Sequence, residues 1–261
     1  MFNYFCSLSP IVQAFLGGCF TWFITSLGAG IVFFIRKEND KLMKCLSGFA
    51  GGIMLAAAFW SLLNPAVEIS EEVGLNSPLI LSSGFLLGVL LLIGFDFFCK
   101  KIYEKKDNNY YKRSWLVILS ITLHNIPEGL IVGVAFGSVV NGIGNYGIIE
   151  ALLLTLSIAI QNFPEGCSIS LPLRRDGYSN KKSFLIGQAS ALVEPISAVL
   201  GALLVMKIQL ILPFLLAFAA GAMIFVVVSE LVPDMNDKGY LTTFIFIIGF
   251  ILMMVLDIGI K

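Results

Sequence analysis

The sequence predicts an all-α membrane protein of eight transmembrane helices, and three observations carry that reading. Apolar runs of about spanning length recur along the whole chain. The charged residues collect in the short connections between those runs. The polar residues that do interrupt them fall into a repeated pattern rather than at random. Hydrophobic residues make up 57% of the 261 and charged residues 13%, where a soluble domain carries about 25% charged. Lys+Arg 17 balance Asp+Glu 17, and the basic residues lie in small clusters, so nothing marks the chain as a binder of nucleic acid.

The spans fall near 8–35, 43–64, 78–99, 114–138, 146–171, 183–206, 208–232 and 239–259, and residues 1–261 read as one transmembrane domain. Each run is close to the roughly 20 residues that cross the hydrocarbon core. Met1–Ser9 has no basic region ahead of span 1, so no cleavable signal is expected and the span stays; its length allows tilt. Connection charges alternate. Arg36, Lys37, Lys41 and Lys44 lie between spans 1 and 2, and Lys100, Lys101, Lys105, Lys106, Lys112 and Arg113 between 3 and 4. Arg174, Arg175, Lys181 and Lys182 lie between 5 and 6, and Lys238 lies in the 7–8 turn. Glu68, Glu71 and Glu72 stand alone between 2 and 3, the 4–5 connection is uncharged, and only Lys207 and Lys261 fall on that second side. Positive-inside logic puts the basic loops in the cytoplasm and both termini outside.

Spans 2 and 7 resemble each other. Phe49-Ala50-Gly51-Gly52-Ile53-Met54 matches Phe218-Ala219-Ala220-Gly221-Ala222-Met223, and each is followed by Ser-x-x-x-Pro, Ser61 to Pro65 and Ser229 to Pro233. Span 2 runs outward and span 7 inward, as in an inverted repeat of spans 1–3 and 6–8 with spans 4 and 5 as a second pair between them. Five cysteines (Cys6, Cys19, Cys45, Cys99, Cys167) form no CxxC pair and point to neither a disulfide framework nor a zinc knuckle. Cys167, two residues after Glu165, reads as a small packing residue before it reads as a soft group near a metal.

The chemistry centres on Leu123-His124-Asn125-Ile126-Pro127-Glu128-Gly129, which holds the single histidine. His124 and Glu128 share a helix face. The pattern returns 37 positions later as Gln161-Asn162-Phe163-Pro164-Glu165-Gly166. Span 6 adds Gln188, Ser190 and the mid-span pair Glu194-Pro195. Such groups are costly in an apolar setting unless paired, protonated or bound to metal, and intramembrane ionisable residues mark pathways. Imidazole with carboxylates suits Zn2+, Fe2+ or Mn2+, and the absence of cysteine from this candidate ligand set disfavours Cu(I). Pro127 and Pro164 are expected to free the carbonyls of Leu123 and Ile160 and to kink their helices. Metal must displace protons from the carboxylates, so acid is expected to weaken its binding.

Other polar residues carry weaker signals. Glu230, at the cytoplasmic end of span 7, is a candidate exit ligand; Asn64 and Ser61, at the outer end of span 2, are candidates for the entrance. Gln188 is a further path candidate. Asp96, one turn before Lys100, reads first as a helix-end ion pair and second as a path residue. Glu150 reads as a helix-N-terminal charge, and Asp257 as a solvated helix end.

The paired motif and the span-6 Glu-Pro resemble the ZIP (Zrt/Irt-like) family of divalent-metal transporters. The sequence is most similar to its GufA-type branch through Gln161–Leu171 and Leu192–Pro195. The resemblance implies eight helices in a 3+2+3 arrangement, metal movement towards the cytoplasm and a two-metal centre. One site would use His124, Glu128, Gln161 and Glu165. The adjacent one would use Asn125, Glu128, Asn162, Glu165 and Glu194, with the glutamates bridging. Gln161 stands where many members have His, and Lys100–Arg113 lacks the histidines of many members' loops.

The function expected is therefore divalent-metal transport, Zn2+ first, with Fe2+, Mn2+ or others as alternatives. The metal is the substrate rather than a prosthetic group. The partners are metal and the lipid bilayer of the cell membrane, with a homodimer open to such a chain. An intramembrane metal-dependent hydrolase would need a fixed metal and a water-activating base, and the chain has no HExxH, no second histidine and no nucleophile–histidine pairing. A cation or proton channel is the remaining alternative.

Overall fold

The computed structural model describes residues 2–35, 40–104, 109–139, 147–207, 209–235 and 240–259. All the regular structure among them is helical. Seven helices are long and apolar enough to cross a membrane: Pro10–Phe33, Asp40–Glu72, Ser77–Phe98, Ile148–Arg175, Asn180–Lys207, Leu212–Leu231 and Leu241–Ile258. A shorter apolar helix, Asn125–Val139, is the distal part of the helix Asn109–Val139 and supplies span 4. The eight expected spans are thus all present as helices, and the numbering of the spans carries over. Lys105, Asn141 and most of the 4–5 connection lie outside the described residues.

Local sequence explains the ends. Span 1 starts with Pro10 in its first turn after an extended Ser9, a position where a missing N–H costs nothing. A short helix, Phe2–Cys6, precedes it and is tied back by Gln13 Nε2 donating to the Phe5 carbonyl at 2.9 Å. The far end of span 1 tightens into a turn, Ile31–Phe33, where the Phe34 and Ile35 N–H groups both bond the Ile31 carbonyl and the carbonyls beyond it run out of helical donors. Arg174, at the end of span 5, donates Nη1 to the Val32 carbonyl at 3.0 Å and also to the Ile35 carbonyl. Glu150 accepts from the Gly147 N–H at 2.9 Å at the start of span 5, the helix-terminal role expected of it.

The spans pack in two groups. Spans 1, 4, 5 and 6 surround the motif residues, and spans 2, 3, 7 and 8 pair as 2 with 8 and 3 with 7; spans 2 and 7 join the groups by contacting spans 5 and 4. The second group is internally matched. Over an 18-residue apolar stretch of each, 67% of the residues are buried in both span 2 and span 7, and 17% in both span 3 and span 8. Close helix approach is matched too. A Cβ on Gly52 would strike the Phe246 carbonyl of span 8, and one on Gly221 the Phe85 carbonyl of span 3. Small residues at these crossings let backbones touch, the main source of helix association in lipid.

Spans 2 and 7 also share a widened π turn that the sequence reading did not anticipate, at Ala58–Leu63 and Val227–Leu231. Each ends with one residue between it and the proline of Ser-x-x-x-Pro, and that residue's N–H makes the five-residue bond: Asn64 to the Phe59 carbonyl and Val232 to the Val227 carbonyl. The proline ring would press on the carbonyl four residues back, at Ser61 or Ser229, and the wider turn relieves that clash. Pro127 and Pro164 lie inside spans 4 and 5, and the helix continues past both. Each proline removes a single bond, and the flanking turns, held by neighbouring spans, carry the helix across. The break falls instead in span 6, where Asn180–Ala189 and Val193–Lys207 are separated by a tight turn at Ser190–Leu192.

Gly52→Ala and Gly221→Ala should each lower stability by about 1–3 kcal/mol through overpacking. Gly94→Ala in span 3, where nothing lies within 4 Å of an added Cβ, should be neutral or stabilising by up to about 1 kcal/mol. Thermal unfolding of the purified protein in detergent checks the contrast. Equal behaviour of all three variants would contradict the crossings described.

Candidate metal centre

Adjacent positions on a helix diverge by about 100°, so Gln161 and Asn162 of span 5 reach two different neighbours. Gln161 donates Nε2 to Glu128 Oε1 of span 4 at 2.6 Å. Asn162 donates Nδ2 to both carboxylate oxygens of Glu194 in span 6, at 3.0 Å each. Glu194 lies in the first turn after the break. Asn125, Gln161, Asn162 and Glu194 are completely buried, and Glu128 and Glu165 nearly so. Glu128 lies in electrostatic range of Glu165 and Glu194. Five of the seven residues singled out as ligands, Glu128, Gln161, Asn162, Glu165 and Glu194, are therefore linked where spans 4, 5 and 6 meet, and Asn125 is buried on span 4 one turn before Glu128. The seventh, His124, is on the span-4 helix, and its side chain lies outside the described residues.

The bonding is incomplete in a specific way. Both side-chain atoms of Asn125, Glu128 Oε2, Gln161 Oε1, Asn162 Oδ1 and Glu165 Oε2 are buried without a hydrogen-bond partner. A buried polar atom left unpaired costs about 1–3 kcal/mol, and here most of them are oxygens with lone pairs to offer. Among the described residues no three His, Cys, Asp or Glu side chains converge closely enough to hold a metal ion by themselves. The carboxylates are interleaved with amides, so the available donor set mixes carboxylate and amide oxygens.

The motif glycines serve the same place. A Cβ on Gly129 would strike the Glu194 backbone and the Ser197 hydroxyl of span 6, and one on Gly166 the Thr25 carbonyl of span 1. Glycine at these positions lets spans 6 and 1 come down onto spans 4 and 5 beside the carboxylates. The sequence reading gave these glycines no role, although their place in both copies of the motif was a signal.

The outlying candidates distribute unevenly. Glu230 is half-buried and in electrostatic range of Glu165. Ser61 is buried in the π turn of span 2 and donates to Asp257 Oδ1 of span 8 at 2.7 Å. Asp257 is therefore a partner of span 2 and not simply a solvated helix end, a pairing that 196 residues of separation hid from the sequence. Asn64 is exposed and donates to Glu68 Oε1 at 2.8 Å. Gln188 stands apart from the cluster, bonded to Trp22 of span 1. Asp96 is exposed on span 3. The Cys167 thiol is buried against the Gly28 carbonyl at 3.2 Å, in keeping with a packing role.

Comparison with known proteins shows the family. The pattern of the family described as ZIP Zinc transporter matches residues 104–257. The chain is 34% identical to the zinc transporter ZIP11 of Xenopus tropicalis, over 96% of this chain and 98% of that one. It is 36% identical to the zinc transporter ZIPB of Bordetella bronchiseptica, over 94% and 80% respectively. It is 32% identical to the zinc transporter GufA of Myxococcus xanthus, over 90% and 94%. With the matched pattern spanning more than half of its length and these relatives aligned nearly end to end, the chain belongs to the ZIP zinc transporter family.

Proposed function

We propose that this integral membrane protein carries divalent metal ions, Zn2+ foremost, across the cell membrane towards the cytoplasm. The observation that supports this most directly is the group of buried, unpartnered oxygens shared by Asn125, Glu128, Gln161, Asn162 and Glu165. A desolvated cation offers those oxygens what lipid and protein do not. Residues 1–261 act as a single transporter domain in this reading.

The centre holds two metals. His124, Glu128, Gln161 and Glu165 form one site, and Asn125, Glu128, Asn162, Glu165 and Glu194 the other, with Glu128 and Glu165 common to both. The Gln161–Glu128 and Asn162–Glu194 bonds support this division, because each joins two residues of one site. Ser61, paired with Asp257, and the exposed Asn64 flank the route in; Glu230, facing Glu165, flanks the route out. Exposed apolar residues such as Leu86, Leu90 and Phe97 of span 3 and Phe244, Ile251 and Val255 of span 8 face acyl chains, and a homodimer would cover part of such a face. The defining experiment is uptake of a panel of divalent metals into proteoliposomes, with and without a proton gradient; no uptake of any of them would sink the proposal.

His124→Ala should reduce Zn2+ uptake to below about a tenth of wild type, since no other imidazole exists in the chain to replace it. Uptake per folded molecule in proteoliposomes measures this, and a wild-type rate removes His124 from the pathway.

Glu165→Gln should cost more metal affinity than Asn162→Ala, about tenfold or more, because it takes charge from both sites. Calorimetric Zn2+ titration decides, and the reverse order would rule out a bridging Glu165.

The charge alternation predicts Lys105 in the cytoplasm and Asn141 outside. With the native cysteines removed, a cysteine placed at 141 should react with an impermeant thiol reagent on intact cells and one at 105 should not. The opposite pattern would invert the topology.

A further inference from the structure

The break in span 6 has a definite hydrogen-bond pattern. The Leu192 N–H bonds the Ala189 carbonyl at 3.2 Å and the Glu194 N–H bonds the Ala191 carbonyl at 3.0 Å. Both are three-residue steps where an α-helix makes four-residue ones. Pro195 explains the tightening: it has no N–H for the Ala191 carbonyl, which takes the Glu194 N–H instead. The shift leaves the Gln188 carbonyl without its helical donor, because that donor, the Leu192 N–H, is already used. At membrane depth such a carbonyl needs a partner from a neighbouring span.

Span 1 supplies it. Trp22 donates its indole Nε1 to the Gln188 carbonyl at 2.9 Å, with the Gln188 side-chain oxygen at 3.1 Å from the same nitrogen. One turn earlier, Gly18 lies against the other end of the break, where an added Cβ would sit 2.7 Å from Pro195 Cα and 3.0 Å from the Glu194 carbonyl. Thr21, between them, is fully buried and reaches the Glu194 carboxylate. One face of span 1 thus grips both sides of the turn from which Glu194 extends towards Asn162.

We propose that Trp22 is a positioning residue for metal binding: its indole N–H takes up the carbonyl released at the span-6 break and so fixes the backbone that aims Glu194 at the metal centre. The inference rests on the two-metal reading above, and specifically on Glu194 being a ligand of the site it shares with Asn162. Trp22 never meets the metal; it acts through Glu194.

The test is a double-mutant cycle on the full-length protein in detergent, read by calorimetric Zn2+ titration. Trp22→Phe keeps an aromatic ring and removes the N–H together with part of the indole's bulk. It should weaken binding by on the order of tenfold, the effect of stranding one buried carbonyl. In a Glu194→Gln background the same substitution should change affinity by less than about twofold, because the residue it positions is already disabled. A tenfold loss in both backgrounds would make Trp22 a packing element and overturn the proposal, as would wild-type affinity for Trp22→Phe. Pro195→Ala gives a second route if Trp22→Phe folds poorly. It restores the N–H for Ala191 and allows the helix to run on, and it should show the same dependence on Glu194. Full affinity in Pro195→Ala would overturn the role of the break. Glu194→Gln that binds Zn2+ as wild type does would instead remove Glu194 from the centre, and the two-site reading would fall along with the brace.

Discussion

Inside a bilayer there is no water to complete a hydrogen bond, so a polar atom must find its partner within the protein. Most of this chain obeys that constraint locally. Ser26, Ser138, Thr155 and Ser157 return their hydroxyls to carbonyls of their own helices, and the break in span 6 draws a donor from span 1. The constraint is relaxed where spans 4, 5 and 6 converge, and the unpaired oxygens there belong to the residues that the repeated motif contributes. Everything around that place serves to hold the unpaired atoms together: the glycine contacts of Gly129 and Gly166, the bonds from Gln161 and Asn162, and the support of span 1.

Proline is used in three ways, and the contrast shows how context decides its effect. Pro127 and Pro164 sit within continuous helix beside the carboxylates. Pro65 and Pro233 follow matched π turns. Pro195 follows a tightened turn that separates two half-helices. A missing N–H is common to all five positions. The local answer is continuation, widening or tightening, and it follows the neighbours available to take the released carbonyl.

Much of this was legible in the sequence because it depends on composition and period. The apolar runs gave the spans, although the span-2 helix runs on to Glu72 where the sequence reading stopped it at 64, and Asn162, Glu128 and Glu165 of the repeated Asn-x-Pro-Glu-Gly lie among the linked residues. The likeness of spans 2 and 7 was visible in the Phe49 and Phe218 segments and is matched by equal burial and equivalent glycine crossings. What could not be read depends on contacts between distant segments. The Ser61–Asp257 pair and the Trp22–Gln188 bond have no periodic signature. The carbonyl and the side-chain oxygen of Gln188 both meet the Trp22 indole, a contact that no spacing within span 6 announces.

The Gln161 and Asn162 amides have a kinetic consequence. In the structure each turns its nitrogen to a carboxylate, occupying the place of a cation with two weakly positive hydrogens, and keeps its oxygen in reserve. A half-turn of the amide exchanges donor for acceptor with little change of shape. In the two-metal reading proposed above, arrival of an ion would turn each amide from its nitrogen to its oxygen, and departure would reverse the turn. Rotation of a side chain takes picoseconds to nanoseconds where it is unhindered. A centre built from such two-faced groups is suited to brief occupancy: it exchanges tight retention for rapid hand-over, which is the property a conduit needs and a storage site does not.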